Sequence, residues 1–306
     1  MSPTTAVLLM AYGTPRSREE ILPYYTDIRR GRPPTPELLD DLTKRYEAIG
    51  GLSPLARLTE AQRNVLQSAL DERKPDGFEV TVGLKHAHPT IEEAVAGLAG
   101  RGFRRIVGLV LAPHFSAYSI GQYLDRARAA AAPHDLEVRG IESWATLPEY
   151  VSFLAAGVRA GIESMPVNTK VVFTAHSLPK RILDSGDPYP EELLSTAAAV
   201  ARATALAPWS GWGIAWQSAG RTPEPWLGPD ILAVVDDLAA SEAASGLLVC
   251  PCGFVADHLE VLYDLDLEAK ARADRQGLAF ARTPVLNADP VVLGALADRI
   301  VELDRT

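Results

Sequence analysis

A histidine and a carboxylate stand where the chain can form a metal site. His176 follows the apolar run 170–175, and Glu260 lies in the segment Asp257-His258-Leu259-Glu260. A neutral imidazole nitrogen suits divalent iron or zinc, and a carboxylate can complete such a site. The same pair can also accept protons, because histidine titrates near neutral pH. A lone histidine at a strand end is more often a satisfied core residue, so the metal-site hypothesis depends on both residues.

Three acidic residues extend this candidate site along a predicted helix. Glu260, Asp264 and Glu268 are spaced i, i+4 and i+8, which predicts one acidic stripe on that helix. A stripe of this kind is usually a solvated face. The alternative is a track that hands a hydrated cation toward His176, because a cation would relieve the repulsion among the three carboxylates.

Two segments in the first half combine aromatic and basic residues. One contains Tyr24, Tyr25 and Arg29, and the other contains Arg45 and Tyr46. A planar guanidinium pairs well with carboxylates, so these segments suit a flat apolar ring that carries carboxylates. An amphipathic helix with ordinary surface arginines explains the same pattern, and the residues alone leave both interpretations open.

The candidate residues lie near the ends of predicted strands. Apolar runs predict strands over 6–12, 79–85, 105–112, 137–141, 170–175, 211–217 and 246–250. Amphipathic segments predict helices over 17–29, 36–48, 59–72, 90–100, 120–131, 147–163, 190–205, 229–239, 256–273 and 290–303. Strands that alternate with helices indicate an α/β protein with parallel sheets covered on both faces.

The strand–turn–helix pattern appears twice along the chain. We therefore predict two similar doubly wound, Rossmann-like domains, 1–145 and 146–306, with a cleft between them. The last helix, from residue 290, can pack back on the first domain. Ligands of open α/β sheets bind outside the carboxyl ends of the strands. Gly13 and Gly253 lie near two of these ends, where glycine lets backbone approach a ligand closely.

Length and charge exclude several classes of protein. A chain of 306 residues accommodates two domains of ~150 each. A net charge of -9 and a pI of about 5.2 disfavour a nucleic-acid binder. No run of ~20 apolar residues predicts a membrane span, and the N-terminus lacks the basic region of a signal peptide. We expect a cytoplasmic monomer.

The two cysteines, Cys250 and Cys252, form a C-x-C pair. This spacing fits neither a thioredoxin-type motif nor a zinc knuckle, and an iron–sulfur cluster normally needs four thiolates. The simplest interpretation is two small, semi-buried residues at a strand end. A cluster shared between subunits or completed by other ligands is the alternative.

Taken together, the motifs resemble those of the ferrochelatase family. The matching segments, in the family's order, are AYGTP, YYTDIRRGRPP, RYEAIGGLSPL, GLKHAHP, LAPHFSAYS, TAHSLP, GDPYP, WQSAGRTPEPWLGPD and GFVADHLEVLYDLD. They cover nearly the whole chain, and TAHSLP and GFVADHLEVLYDLD are specific to the family. The resemblance implies the two-domain fold of class II chelatases and insertion of Fe(II), a substrate, into a porphyrin with release of two protons.

The resemblance also implies a role for each matching residue. His176 and Glu260 match the iron-binding, proton-accepting pair, and Tyr12 matches a tyrosine at the metal on the other face of the ring. Asp264 and Glu268 match an outer cation site, which can hold Mg(II). The positions that match contacts to the macrocycle and its propionates are Arg29, Arg45, Tyr46, Ser53 and Tyr123.

Substrate choice depends on a smaller signal. Tyr12 in AYGTP resembles the soluble Gram-positive enzymes that act on coproporphyrin III, whereas protoporphyrin IX enzymes more often carry an asparagine-led segment. Some relatives hold a two-iron, two-sulfur cluster on four cysteines, so we expect no complete cluster on the two here. The alternatives are a protoporphyrin IX ferrochelatase, a chelatase for another tetrapyrrole or metal, a haem carrier that uses Tyr12, and a periplasmic-type metal-binding protein.

Overall fold

Two parallel sheets with the same strand order organise the two halves of the chain. A computed structural model describes residues 5–207, 211–220 and 222–305. The strands of these residues, β1 to β8, are Thr5–Ala11, Phe78–Leu84, Arg105–Val110, Glu137–Ile141, Thr169–His176, Trp212–Gln217, Gly246–Cys250 and Ala279–Arg282. They form parallel sheets of order β2-β1-β3-β4 and β6-β5-β7-β8. The predicted doubly wound α/β fold is confirmed.

Helices connect the strands and cover both sheets. Helices α1 to α11 of the described residues are Ile21–Ile28, Pro36–Ala48, Leu55–Arg73, Ile91–Gly100, Ile120–Ala131, Pro148–Glu163, Tyr189–Ala203, Ile231–Ala240, Leu259–Leu262, Lys270–Arg275 and Pro290–Arg305. Two 3₁₀ segments, Ala132–His134 and Lys180–Ser185, and a π-helical turn, Asp264–Ala269, complete the set.

Strand β1 is apolar from Ala6 to Ala11 because helices cover both faces of its sheet. Val7 and Leu9 belong to a core that also contains residues of α3 and α11. Leu8 and Met10 belong to a second core, which is built with α4 and α5. Successive side chains of a strand point to opposite faces of the sheet, so a strand between two helical layers must be apolar at every position.

The second sheet is covered in the same way. Val171 and Phe173 of β5 pack in the core that contains residues of α6 and α7. Val172 packs on the opposite face with residues of α8 and α10. The ends of β1 and β5 therefore occupy equivalent positions in two equivalent sheets.

The sequence analysis missed one strand and predicted one helix wrongly. Strand β8 was not predicted, because Ala279–Arg282 is only four residues long, is partly buried throughout and ends in a charged residue. The predicted continuous helix over 256–273 is wrong. The chain forms the short helix α9, the π turn and then α10, so Glu260, Asp264 and Glu268 do not lie on one regular α-helix.

The C-terminal helix α11 packs against the first half of the chain. Its residues Val292, Leu293 and Leu296 share a core with Leu66 and Leu70 of α3. A bidentate ion pair joins the same two helices. Nε and Nη2 of Arg73 lie 2.5 and 2.8 Å from the carboxylate oxygens of Asp298.

Polar side chains also join the two halves through the loop after β3. Asp187 accepts hydrogen bonds from Ser116 Oγ and from the Ala117 amide, both at 2.9 Å. Glu192 accepts one from the Phe115 amide at 2.7 Å. These bonds fix the loop against the start of α7. Among the described residues, no helix is long and apolar enough to cross a membrane.

Candidate active site

His176 is the last residue of β5 and has one ring nitrogen available. Its Nδ1–H donates to the Ser177 carbonyl at 2.5 Å, which leaves the Nε2 lone pair available. Nε2 lies 3.7 Å from Oε1 of Glu260. The 3₁₀ segment that follows Pro179 leads the chain away from the strand end. The imidazole keeps 35% of its surface exposed, so the histidine is not a closed core residue.

Glu260 lies between two histidines. Its Oε2 is 3.7 Å from Nε2 of His258, and the Nδ1–H of His258 donates to the Ala256 carbonyl at 2.8 Å. Both imidazoles thus use Nδ1 for a backbone carbonyl and turn Nε2 toward the carboxylate. An imidazole whose other nitrogen is held in this way has its ligating nitrogen defined. Each imidazole thus faces one oxygen of the Glu260 carboxylate, although among the described residues no three histidine, cysteine or acidic side chains are grouped closely enough to hold a metal ion.

His176 and Glu260 stabilise each other's charged forms. Burial by itself raises the pKa of Glu260, but His176 and His258 outweigh it and hold that pKa well below its ordinary value. Burial lowers the pKa of His176, and the attraction and hydrogen bond of Glu260 reverse this, so the net pKa is raised. A carboxylate that stays ionised attracts a cation, and an imidazole with a raised pKa accepts protons more readily.

Gln217, the last residue of β6, holds the backbone of Glu260. Its Nε2 donates to the Glu260 carbonyl at 3.0 Å, and its Oε1 accepts from Thr174 Oγ1 at 2.9 Å. Gln217 and Thr174 are fully buried. The amide therefore connects β5 and β6 to the start of the segment that carries Glu260, which fixes the distance between Glu260 and His176.

The first half supplies aromatic side chains, which form a second wall of the site within reach of the Glu260 charge. Tyr12 follows β1, and its ring centroid lies 4.6 Å from that of His86, whose Nδ1 is 2.7 Å from Asp27. Burial is the largest cause that raises the pKa of Tyr12, and the negative charge of Glu260 is the next. Glu260 acts on the pKa of Tyr46 in the same direction, after burial. The carboxylate of the second half thus acts on the tyrosines of the first.

The residues predicted to hold the macrocycle and its propionates differ in how far they are buried. Tyr46, Ser53 and Tyr123 are buried. Ser53 Oγ accepts from the Leu55 amide at 3.3 Å, which satisfies a free donor at the start of α3. Arg29 Nε donates to a backbone carbonyl at 3.3 Å, and its guanidinium lies 5.8 Å from the ring centroid of Tyr25. Arg29 is thus the more available of the two predicted arginines.

Arg45 is engaged with acidic residues. Its Nη1 lies 3.4 Å from Oδ1 of Asp264, across the two halves, and its Nε lies 3.3 Å from Asp41. The guanidinium also lies 4.6 Å from the ring centroid of Tyr263. Asp264 receives a further hydrogen bond of 2.5 Å from Ser218. Arg45 therefore sits over the acidic segment, where it joins the two walls of the site.

The acidic residues divide into a buried and an exposed one. Asp264 is buried, and burial together with the nearby Glu260 raises its pKa to about 6. Glu268 is exposed. Both lie in the π turn, whose hydrogen bonds run from i to i+5, so residues four apart do not face the same side as they would in an α-helix. Asp264 is therefore not part of a solvated face, whereas Glu268 is exposed to solvent.

Two features near the site serve packing. Cys250 and Cys252 are fully buried, and burial raises the pKa of the Cys250 thiol to about 12. Gly253 contacts strand β5, since a Cβ there would lie 2.4 Å from Cβ of Ala175. The absence of a side chain at Gly253 is thus required for packing on β5, and its approach to a ligand stays a prediction. Gly13 has φ +91°, a conformation that favours glycine, and faces Ala87.

His258 and Gln217 are site residues that the sequence reasoning did not assign. His258 has an extended backbone, φ -157° and ψ -178°. Its spacing of two residues from Glu260 was a usable signal, because side chains two apart on an extended chain can face one way. Gln217 had no comparable signal. Its role depends on β6 lying next to β5, which only the sheet order shows.

Comparison with known proteins identifies the family. The family model described as Ferrochelatase matches residues 4–303. The chain belongs to the ferrochelatase family. It is 44% identical over 295 residues to a coproporphyrin III ferrochelatase of Halalkalibacterium halodurans, with 95% of this chain and 94% of that protein covered. It is 43% identical over 302 residues to the coproporphyrin III ferrochelatase of Bacillus subtilis, with 97% and 96% covered.

Another ferrochelatase relative and a solved chelatase structure agree with this family. A protein of Herpetosiphon aurantiacus named ferrochelatase is 43% identical over 303 residues, with 97% of this chain and 98% of that protein covered. The structure of SirB from Bacillus subtilis with Fe3+ superposes with a TM-score of 0.58 at 13% identity, covering 99% of this chain and 95% of that one. At that identity the likeness supports the fold alone.

Proposed function

We propose that this ferrochelatase inserts Fe(II) into coproporphyrin III and releases iron coproporphyrin III, a step of haem biosynthesis. The observation that carries the proposal is that His176 and His258 each turn Nε2 to within 3.7 Å of Glu260, whose charge also acts on the pKa of Tyr12. The coproporphyrin III ferrochelatases with 43–44% identity over nearly the whole chain support this substrate.

The chemistry requires a metal donor and a proton acceptor on one side of a flat ring. A free-base porphyrin carries two inner N–H groups, and the metal can enter only when both protons leave. On this proposal Nε2 of His176 and the carboxylate of Glu260 hold the incoming Fe(II) loosely. As Fe(II) passes to the ring nitrogens, it frees the His176 lone pair and the Glu260 carboxylate, which then accept the two protons that leave the ring. A closed set of four protein ligands would instead retain the metal.

The two walls can also bend the ring. A planar porphyrin directs its lone pairs inward, so insertion is easier when the ring is distorted. Binding energy from the ring faces and the propionates can offset the strain of distortion. We infer that Tyr12 faces the ring from the side opposite His176, so that its hydroxyl approaches the metal on the far face of the ring.

We infer that residues of the first half of the chain bind the propionates. Arg29 is available for a carboxylate, and we infer that Tyr46, Ser53 and Tyr123 line the pocket beside it. Arg45 is shared with Asp264, so we expect it to bind a propionate only if that ion pair loosens. Four propionates, as in coproporphyrin III, demand more such partners than the two of protoporphyrin IX.

The acidic pair beyond Glu260 can hold a hydrated cation. Mg(II) is often bound by one or two carboxylates while it keeps several waters, and Asp264 and Glu268 provide such a pair. The affinity should rise above pH 6, because the pKa of Asp264 is raised to about 6. We expect Glu268→Ala to slow insertion more at limiting than at saturating Fe(II), because this pair would supply cations to His176.

Three expectations complete the proposal. We infer that the domains divide near residue 145, between β4 and α6. We further infer a monomer and a cytoplasmic location. Size-exclusion chromatography with light scattering tests the monomer, and cell fractionation tests the cytoplasmic location.

The test of the proposed function is anaerobic and optical. The purified protein is mixed with Fe(II) and either coproporphyrin III or protoporphyrin IX, and the loss of the free-base bands is followed. We expect turnover of coproporphyrin III and little of protoporphyrin IX. Preference for protoporphyrin IX would retain the chelatase and overturn the substrate. Tight binding without turnover of either would replace the enzyme with a carrier.

A further inference from the structure

Arg282 lies at the end of β8, outside the metal-binding cluster, and binds two aspartates at once. Its Nε and Nη2 lie 2.6 and 2.9 Å from the two carboxylate oxygens of Asp266. The same Nη2 lies 2.9 Å from Oδ1 of Asp257. Only 15% of the Arg282 side chain is exposed, whereas Asp257 and Asp266 are 26% and 36% exposed, so the guanidinium is the buried centre of this three-residue network.

The two aspartates flank the segment that carries the proposed metal donor. Asp257 precedes His258 by one residue and Glu260 by three, and Asp266 lies two residues after Asp264 in the π turn. The guanidinium therefore connects both ends of a ten-residue stretch, 257–266, to the edge strand β8.

This stretch has little regular backbone structure to hold it. It begins in an irregular loop and passes through a four-residue helix into a π turn. A π turn is rare and is seen mostly as a single turn inside helices, frequently at functional sites. Side chains must therefore supply much of the restraint on Glu260.

Asn287 reinforces the same end of the stretch. Its Nδ2 donates to Oδ2 of Asp257 at 2.9 Å, and its Oδ1 accepts from the Asp257 amide at 2.9 Å. Gln62 in turn donates to the Asn287 carbonyl at 2.9 Å and to the Val255 carbonyl at 3.1 Å. Both oxygens of Asp257 are thus occupied, and this carboxylate has a structural partner on each side.

We propose that Arg282 is a positioning residue for iron insertion, which acts by holding Asp257 and Asp266 so that Glu260 and His258 face His176. The inference rests on the proposed function. A lysine cannot replace it fully, because an ammonium is a point charge without the planar fork that binds two carboxylates. Partners that orient metal ligands typically contribute about 10- to 100-fold in metal affinity or activity when they are removed.

The test compares Arg282→Met and Arg282→Lys with Arg73→Met. Arg73 forms a similar bidentate pair with Asp298, but it lies at the far end of α3, away from the site. We expect Arg282→Met to lower kcat/KM for Fe(II) by about 10- to 100-fold, with KM for coproporphyrin III unchanged. Arg282→Lys should fall between Arg282→Met and wild type, and Arg73→Met should equal wild type.

A second readout separates this inference from the proposed function. Zn(II) binding is measured by calorimetry on the same variants, with His176→Ala to mark the site, and needs no turnover. We expect Arg282→Met to weaken that Zn(II) site about tenfold or more, and Arg73→Met to leave it unchanged. Wild-type Zn(II) affinity and turnover in Arg282→Met, or equal losses in Arg73→Met, would overturn the inference. If Arg282→Met does not fold, Arg282→Lys decides by the same measures.

Discussion

Replacement of Glu260 by glutamine tests most directly the proposed metal-binding cluster of His176, Glu260 and His258. The variant keeps the shape of the side chain and removes its charge. Glu260 oxygens lie 3.7 Å from Nε2 of both His176 and His258. At this separation two unit charges attract by about 4 kcal/mol at an effective dielectric constant of ~20, and by about 1 kcal/mol in bulk water.

Solvent screening decides which of these magnitudes applies. The side chains of His176 and Glu260 are 35% and 38% exposed, so we take a value near the water limit, about 1–2 kcal/mol for each charge on the partner. The lost attraction lowers the pKa of His176 and weakens the hold on Fe(II). Loss of a proton acceptor adds to this, and we expect kcat to fall by about 100-fold or more.

Two measurements check these consequences. Histidine NMR titrations of the wild type and Glu260→Gln, without porphyrin, report the pKa of His176, and anaerobic turnover reports kcat. The control is Glu163→Gln, an exposed residue at the end of α6, which should behave as wild type in both. An unchanged titration of His176 would show that the two groups do not interact, and an unchanged kcat would remove Glu260 from the reaction.

Three further predictions concern metal binding, pH and thiol reactivity. We expect His176→Ala to abolish insertion and leave coproporphyrin III binding, followed by absorbance, unchanged, with exposed His134→Ala as the control; wild-type turnover in His176→Ala would refute the metal site. The pKa of Asp264 is about 6 in the folded protein and 3.8 in the unfolded chain. Between pH 3.8 and pH 6 the folded protein therefore binds a proton that the unfolded chain has lost, and the stability of the fold falls as the pH rises through this range. Relative to Asp264→Asn, the unfolding free energy should drop by about 2 kcal/mol from pH 4 to pH 6, and a flat difference in urea titrations would contradict the assignment. Cys250 and Cys252, fully buried with raised thiol pKa values, should resist iodoacetamide at pH 8 until urea unfolds the chain, and labelling of the native protein in mass spectra would contradict their burial.

The fold and the two halves of the site were predictable for different reasons. Strands buried on both faces must be apolar throughout, so β1 and β5 were evident from the sequence. His176 and Glu260 were predictable because they lie in chemically specific motifs, one at the end of β5 and the other after β7. Their separation of 3.7 Å stays a property of the folded chain, and their catalytic roles stay predictions.

The predicted acidic stripe of Glu260, Asp264 and Glu268 does not form, because the segment is not a regular α-helix. The i, i+4, i+8 spacing assumes one continuous α-helix, but the chain passes through the π turn Asp264–Ala269. Asp264 is buried against Arg45 and Ser218, partners that lie about 220 and 46 residues away along the chain. Local periodicity carries no information about partners at such distances.

The kind of chemistry and the kind of fold can be inferred from the order of the residues alone. The types and order of the residues indicated the ferrochelatase family, because donors such as His176 and Glu260 must be specific side chains. The tertiary structure decided which residues hold those donors in place. Gln217 and Arg282 reach the Glu260 segment from β6 and β8, and the order of strands in a sheet arises from packing of the whole domain rather than from any local pattern.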